Sequence, residues 1–333
     1  MTTELTDLQA TPGRLRKLAR LGYLDAAALD AGLRRIGGIP DRAAWGSFLD
    51  YLLLTLGALF LTSGIFFFVA YNWEDLSRFT RFGLLEGVIV LAVAITHWVG
   101  LNRLGGKLAL TVATLLVGAL LAIFGQEYQT GADSYLLFGN WALLVLGWVL
   151  IGNFDLLWAI FLVLLNVTLF LFWNQRYPSD LYPQPESLFA LNAVALLGWE
   201  LAARRWMWIQ QRWLPRVTAL AAFAWIGWPT LALIFYLFDP SFELALIHRF
   251  GPLIYGIFAA SVWFVYYRLK PDLFMLTVTL FSVLVVITTL VARALVEVDE
   301  LLAYFVTSIV VIIQAAVAVG ILRRIAHRWE ETA

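Results

Sequence analysis

The 333-residue sequence contains no cysteine, so it forms no disulfide and offers no thiolate ligand to a metal ion. Its three histidines, His97, His248 and His327, lie far apart, and no HExxH, P-loop or GxSxG motif occurs. The sequence therefore shows none of the residues that zinc-dependent hydrolysis, ATP-driven work or the ligation of a redox cofactor would need. The sequence predicts no bound metal and no cofactor.

Charged residues are also scarce. They make up 14% of the chain, against 62% hydrophobic residues and a mean hydropathy of +0.81. A soluble domain averages about 45–50% apolar and about 25% charged residues, and a soluble chain this apolar would expose large hydrophobic patches. The period-two alternation of a membrane barrel is absent. The composition predicts an all-α, polytopic transmembrane bundle in contact with the lipid bilayer.

Apolar stretches long enough to cross a membrane recur along the chain. A spanning helix needs roughly 20 mostly apolar residues for about 30 Å of hydrocarbon. We expect the first stretch to be a retained helix rather than a signal peptide. The predicted spans lie at about 49–71, 82–101, 108–125, 135–152, 155–173, 186–203, 216–237, 250–269, 272–294 and 302–322.

Lysine and arginine are distributed unevenly between the two sides of the ten predicted spans. With the N-terminus inside, eighteen of the 23 lie on the inner side, and the outer side holds Arg78, Arg81, Arg176, Arg249 and Arg293. Short cytoplasmic loops carry such an excess. The pattern predicts a multi-pass protein of the bacterial cytoplasmic (inner) membrane with both termini cytoplasmic. No basic face with aromatic residues remains outside these loops, so we predict no nucleic-acid partner.

Residues 1–45 are predicted to form a small cytoplasmic hairpin of two helices. Thr11-Pro12 and Asp25 are helix-start signals, and Gly22 and Gly37-Gly38 follow the predicted helix ends. Both helices carry an apolar stripe. We favour a basic amphipathic pair that rests on the inner leaflet over a regulatory or partner-docking hairpin.

The remaining chain divides into two halves, residues 46–175 and 176–333, with five predicted spans each. An odd number of spans gives the halves opposite orientations, as in many secondary transporters. We find no residue-level similarity between the halves, so the division supports an internal repeat only weakly.

Two polar segments at the predicted outer surface carry most of the chain's potential chemistry. Phe68–Asp75 ends the first span, and Gly125–Ser134 joins the third span to the fourth. Gly125 and Gly131 would permit tight turns there. One interpretation is helix capping, with the acids facing water. The other is an outer-face pocket for a lipid headgroup, a sugar, a cation or an envelope protein partner, formed by Asn72, Glu74, Asp75, Gln126, Glu127, Tyr128 and Asp133.

These segments resemble a bacterial family of predicted membrane proteins, the domain of unknown function numbered 2157. The first contains the family's Ala-Tyr-Asn-Trp-like motif at Ala70 to Trp73. The second contains its Gly-Gln-x-Tyr-Gln-x-Gly-x-Asp-like loop at Gly125 to Asp133, followed by a tryptophan, Trp141. The resemblance covers roughly residues 10–175. It implies the topology and no activity, and it adds Trp141 to the binding candidates.

Glu86 is the acid predicted to lie deepest in any span, about one turn below the outer end of the second. An intramembrane carboxylate is costly and is by default a functional hypothesis. Glu86 is predicted to bind a proton or cation, to form a structural ion pair with Arg78, Arg81 or the segment Gln126–Asp133, or to be a protonated acid at the interface.

Other polar residues in the spans have simpler interpretations. Glu200 is expected to form a surface ion pair with Arg204 at the inner end of the sixth span. Pro229 is expected to kink the seventh span. Interhelical hydrogen bonds are predicted for Asn166, Asn192 and Gln314.

Three functions remain open. The first is transport or flipping of a small or lipid-linked solute. The second is a non-catalytic subunit that binds an envelope partner through its outer loops. The third is an outer-face enzyme that acts on a lipid-linked substrate with carboxylates as acid and base, although no nucleophile accompanies them and we name no catalytic residue. A polar cavity at mid-membrane would favour transport, an outer cleft lined by carboxylates an enzyme, and a dry bundle a subunit.

Overall fold

The computed structural model describes residues 10–37, 42–71, 76–128, 131–177, 183–203, 205, 211–238, 246–296 and 298–332. Regular structure in these residues is helical. A 3₁₀ turn, Leu246–Phe250, precedes α10, and a π-helical turn, Val265–Leu269, extends it. The α-helices are α1 Pro12–Arg20, α2 Ala26–Arg35, α3 Arg42–Tyr71, α4 Arg78–Val99, α5 Leu104–Glu127, α6 Ser134–Gly152, α7 Asp155–Arg176, α8 Gln184–Ala202, α9 Trp213–Phe238, α10 Gly251–Phe264, α11 Leu273–Val296 and α12 Glu300–Thr332.

Helices α3 to α12 coincide with the ten predicted spans. Within the described residues, nine of them are long and apolar enough to cross a membrane, with α10 counted together with its flanking turns. The all-α, polytopic prediction is therefore confirmed. The tenth, α8, has 19 residues and, at about 1.5 Å per residue, is about as long as the hydrocarbon core is thick, but it is not apolar enough to count.

Contacts between α7 and α8 argue that α8 nevertheless crosses the membrane. The two helices are antiparallel neighbours over their whole length, because three contacts between them are spread from one end to the other: Trp158–Trp199, Asn166–Asn192 and Trp173–Ser187. Since α7 is a candidate span, α8 covers the same depth. With α8 as a span, successive spans alternate in direction across the membrane, as the ten-span topology requires.

The chain divides into two compact units, one of residues 1–67 with 330–333 and one of residues 68–329. In the first unit, the side chain of Thr11 caps α1 and that of Asp25 caps α2, as predicted. Gly22 and Gly37 follow the two helices with positive φ angles, a conformation that glycine adopts at no steric cost. The hairpin is thereby confirmed, whereas its cytoplasmic position and the boundary at residue 175 stay predictions.

The second unit packs around two apolar clusters. One lies among α5, α6 and α7 and includes Val145, Val149 and Leu157. The other lies among α9, α10 and α11 and includes Ile226 and Met275. Pro229 packs against Gly251, where a Cβ would lie 2.8 Å from the proline ring. Close packing thus explains this proline, and α9 runs on through it from Trp213 to Phe238.

Candidate functional site

The two polar segments are only partly within the described residues. Asn72, Glu74 and Asp75 lie outside them, so their predicted part in a pocket stays a prediction. Of the second segment, Gln126 and Glu127 belong to the last turn of α5 rather than to a loop. Gly125 is also helical, so the tight turn that it would permit is not formed there. Gly131 does adopt a positive φ of 59°.

The best-defined interaction at this end of the bundle joins α4 to α5. The guanidinium of Arg81 donates to the carboxylate of Glu127, and both side chains are largely buried. The rings of Phe82, Phe124 and Tyr128, which neighbour these residues in the sequence, pack against one another, with 4.7 Å between the last two centroids. Because the charge of Glu127 is already neutralised, this carboxylate is poorly placed to act as a base.

The other candidates of the second segment face outward. Gln126 is exposed, and Tyr128 is 55% exposed. Asp133 occupies the N-cap position of α6, but its side chain makes no capping hydrogen bond. Capping by Asp133, the simpler of the two predictions, is therefore not seen. Gln126, Tyr128 and Asp133 therefore present exposed side chains at this end of the bundle.

Glu86 lies on the exposed face of α4. No hydrogen bond or ion pair joins it to another described residue. The structure differs here from the expected pairing, because Arg81 turns to Glu127 and Arg78 stacks on Phe79, with 4.9 Å between its Cζ atom and the ring centroid. Nothing in the described residues compensates a charge on Glu86.

Trp141 lies away from this group of residues. It follows Asp133 by eight residues of helix, or about 12 Å at 1.5 Å per residue. Its indole Nε1 donates to the carbonyl oxygen of Thr114 at 2.7 Å, and its ring lies against Gly118, where a Cβ would be 2.4 Å from the ring. Trp141 therefore joins α5 to α6, and its predicted part in binding stays a prediction.

A charged network that the sequence reasoning missed lies at the opposite end of the bundle, which we call the basic end. It holds the described residues of the turns after α4, α6, α8 and α10 and is predicted to face the cytoplasm. Glu200 accepts hydrogen bonds from Tyr266 at 2.6 Å, from Lys270 and from Arg212 at 3.3 Å. The expected surface pair with Arg204 concerns a residue outside the described ones. Glu200 instead ties α8 to α9 and to the π-helical turn.

Asp272 is the second carboxylate of this network, and its side chain is 2% exposed. It accepts two hydrogen bonds from Arg212 and two from Arg216, all between 3.1 and 3.2 Å. It also accepts from the backbone N–H groups of Phe274 and Met275 at the start of α11. One signal was visible in the sequence, because Lys270-Pro271-Asp272 resembles a helix start and Arg212 and Arg216 share a helix face.

A further buried pair joins α8 to the turn before α10 at the other end. His248 Nδ1 lies 2.6 Å from Glu186 Oε1, and both side chains are at most 10% exposed. At mid-membrane, the side-chain amides of Asn166 and Asn192 donate to each other's oxygens, and Thr288 donates to Gln314 at 3.0 Å. The predicted interhelical role of these three amide residues is confirmed.

A cavity of about 930 Å³ lies between α7, α8 and α9. We call it the crevice. It extends from Asn153 and Ala202 at the basic end to Leu165 and Leu191 near mid-membrane. Its walls are mostly apolar, with Asn153 and Thr218 among the lining residues, and Trp158 and Trp199 pack edge to face within them, with centroids 6.2 Å apart. The indole Nε1 of Trp158 is buried without a hydrogen-bond partner among the described residues.

The crevice opens on the side of the bundle. Two of the residues that line it are strongly exposed, Leu150 at 56% and Val194 at 69%. Leu150 lies in a candidate span and Val194 in α8, which we infer to cross the membrane beside α7, so we expect the opening to face hydrocarbon. The crevice stops next to the Asn166–Asn192 pair, since Leu165 and Leu191 line it. Its position partly matches the cavity expected for transport, but its walls are apolar rather than polar.

The turn between α6 and α7 forms one wall of the crevice's mouth at the basic end. Asn153 has a left-handed backbone, with φ of 45°, and its carbonyl oxygen accepts a hydrogen bond from Lys107 at 3.0 Å. The same ammonium lies over the ring of Phe154. Asp155 is 4% exposed, and its carboxylate lies near the side chains of Trp213 and Lys107. The turn at residues 153–155 is the one predicted inner turn without a basic residue of its own, and Lys107 of α5 supplies a positive charge there.

Comparison with known families adds one result to this geometry. Residues 16–158 match the model of a predicted membrane protein family, domain of unknown function 2157. The resemblance predicted from the two polar segments and Trp141 is therefore confirmed over this part of the chain. No curated protein and no solved structure matches the sequence.

The family segment, residues 16–158, and the crevice overlap only slightly. The segment covers less than half of the chain and ends at Trp158, in the wall of the crevice. It includes the Arg81–Glu127 pair, the Trp141 contact and the Lys107–Asn153 contact.

Within the described residues, no three His, Asp or Glu side chains come together as a metal site.

Proposed function

We propose that this protein binds the hydrocarbon chain of a membrane lipid or lipid-linked solute in the crevice between α7, α8 and α9, as a step in transport or flipping of that molecule. The observation that carries the proposal is the crevice itself. Its volume of about 930 Å³ lies within the roughly 300–1,000 Å³ of ligand sites.

The chemistry of the walls selects the hydrocarbon chain over a polar solute. A water-soluble molecule would lose its hydration in this crevice and find few hydrogen-bonding partners, and each polar group left unpaired would cost several kcal/mol. A hydrocarbon chain suffers no such loss. It also reaches the crevice directly from the bilayer through the opening beside Leu150 and Val194. A lipid-linked solute is therefore favoured over a small hydrophilic one.

The membrane location and orientation belong to the same proposal. The excess of Lys and Arg at the basic end favours the inner membrane of a bacterium with this end in the cytoplasm. The crevice then opens into the inner leaflet. An outer-face enzyme is less well supported, because Glu127 is held by Arg81. The residues Asn72, Glu74, Asp75, Glu86, Gln126, Tyr128 and Asp133 are proposed as a surface for an envelope partner.

Lipid analysis of a crevice-filling variant tests the proposal. Gly198 lines the crevice, and a Cβ there would meet no atom within 4 Å, so Gly198→Leu adds bulk to the crevice without a backbone clash. Gly256→Leu in α10 is the matched control, because this helical glycine is exposed and equally open. After purification in mild detergent, we expect Gly198→Leu to retain markedly less co-purified lipid than the wild type and Gly256→Leu to retain as much. Equal retention in all three proteins would contradict the proposal.

A further inference from the structure

One basic side chain lies at the mouth of the crevice, and a second stands close to a lining residue in the sequence. This inference rests on the proposed function, since it concerns the molecule whose chain occupies the crevice. On one side, Lys107 is bonded to the carbonyl of Asn153, which lines the crevice. On the other side, Arg212 stands two residues before Leu214, which also lines it.

The positive and negative charges of the described ionisable groups around the mouth are not equal in number. Positive side chains outnumber carboxyl groups by one in the set of Lys107, Arg212, Arg216, Lys270, Asp155, Glu200 and Asp272. All the carboxylates are well buried, whereas the side chains of Arg212 and Arg216 are 32% and 38% exposed. The negative charge therefore lies inside the bundle, and the excess positive charge lies towards its surface.

We propose that this mouth binds the phosphate of an anionic phospholipid whose acyl chain lies in the crevice. Phosphate oxygens accept charge-assisted hydrogen bonds from ammonium and guanidinium groups. The side-chain amide of Asn153 is exposed at the same place and supplies a neutral donor. The apolar walls behind the mouth exclude free phosphate as the natural occupant, because nothing in them would hold an ion.

Lys107 is the group best suited to a test. Its Nζ atom donates to a backbone carbonyl at the mouth, whereas Arg212 is committed to Glu200 and Asp272. Lys107→Gln removes the charge and keeps a hydrogen-bond donor, and Lys107→Arg keeps the charge. Arg103→Gln is the control, because Arg103 is an exposed basic residue one turn before Lys107.

The experiment is native mass spectrometry of the purified protein in detergent, titrated with palmitoyl-oleoyl phosphatidylglycerol or with the phosphatidylcholine of the same chains. We expect the wild type to prefer phosphatidylglycerol by about tenfold, which corresponds to about 1.4 kcal/mol. Lys107→Gln should lose most of this preference while binding phosphatidylcholine as the wild type does, which also shows that it is folded. Lys107→Arg and Arg103→Gln should keep the preference.

The outcomes separate this inference from the proposed function. Equal binding of the two lipids by the wild type, abolished by Gly198→Leu, would overturn the inference and leave the proposed function standing. Failure of Gly198→Leu to reduce either lipid would overturn both. An equal loss of preference in Arg103→Gln and Lys107→Gln would indicate general surface charge and contradict a site at the mouth. Competition by millimolar inorganic phosphate would identify a free-phosphate site instead.

Discussion

The indole of Trp141 lies against the backbone of Gly118 and donates a hydrogen bond to the carbonyl of Thr114, one turn earlier in α5. This contact locks α5 to α6. A glycine is required because any side chain at position 118 would occupy the space of the ring. The tryptophan that accompanies the polar segments thus has a structural role within the family segment.

A methyl group at Gly118 should destabilise the protein. In Gly118→Ala the Cβ would lie 2.4 Å from the Trp141 ring, so the ring must move and the bond to Thr114 must lengthen or break. Overpacking of this kind costs about 1–3 kcal/mol. Gly125→Ala, on the same helix with nothing within 4 Å, should be neutral or slightly stabilising, because alanine is the better helix former. Thermal unfolding in detergent compares the two, and equal stability would contradict the assigned role.

Asp272 should be essential for stability at the basic end. Asp272→Asn keeps a good N-cap residue but leaves Arg212 and Arg216 without their buried counter-charge. Breaking a buried pair costs about 3–5 kcal/mol, and we expect about 2 kcal/mol or more because both guanidinium groups are partly exposed. Asp299→Asn is the control, since the exposed Asp299 accepts a capping bond from Leu302. Reversible unfolding in denaturant should show a change below about 0.5 kcal/mol for this control.

Asn166 and Asn192 should be energetically coupled across α7 and α8. Each amide donates to the other's oxygen, and hydrogen bonds of this kind in membrane bundles average about 0.6 kcal/mol, with a maximum of about 1.7. A double-mutant cycle of Asn166→Ala and Asn192→Ala measures the coupling free energy. A coupling of zero would mean that the pair does not join the helices in the membrane.

Local features were predictable from the sequence because their causes are local. Thr11 and Asp25 cap the helices that follow them, and the depths of Asn166 and Asn192 follow from counting along the spans. The choice of partner for Glu200 was not predictable. The residues that hydrogen-bond to Glu200 are 12 to 70 positions away in the sequence. Arginines closer in the sequence offered an equally good pairing.

The crevice was not predictable for a different reason. Hydropathy reports that a helix is apolar but not whether its neighbours fill the space beside it. Gaps arise where small residues such as Gly198 and Ala195 line the same space as the large rings of Trp158 and Trp199. Likewise, Trp141 follows the polar segment in sequence, yet helix geometry carries it about 12 Å from Asp133.

The absence of native cysteine allows a direct test of orientation. Asp133→Cys and Gln211→Cys each place a single thiol at an exposed position, at opposite ends of the bundle. A membrane-impermeant maleimide should label Cys at position 133 from the periplasmic side of spheroplasts. It should label position 211 only after permeabilisation. The reverse pattern would overturn the predicted topology and would place the crevice in the outer leaflet.

Photolabelling by a phospholipid with a diazirine in its acyl chain tests the central claim most directly. The protein is reconstituted with this lipid, transferred to detergent to remove loosely held lipid, illuminated and mapped by peptide mass spectrometry. The account predicts labels concentrated on the crevice residues Trp158, Leu165, Ala195 and Trp199, and their loss in Gly198→Leu but not in Gly256→Leu. Labels spread evenly over exposed membrane-facing residues such as Val90 and Ile312, and unchanged in Gly198→Leu, would contradict it.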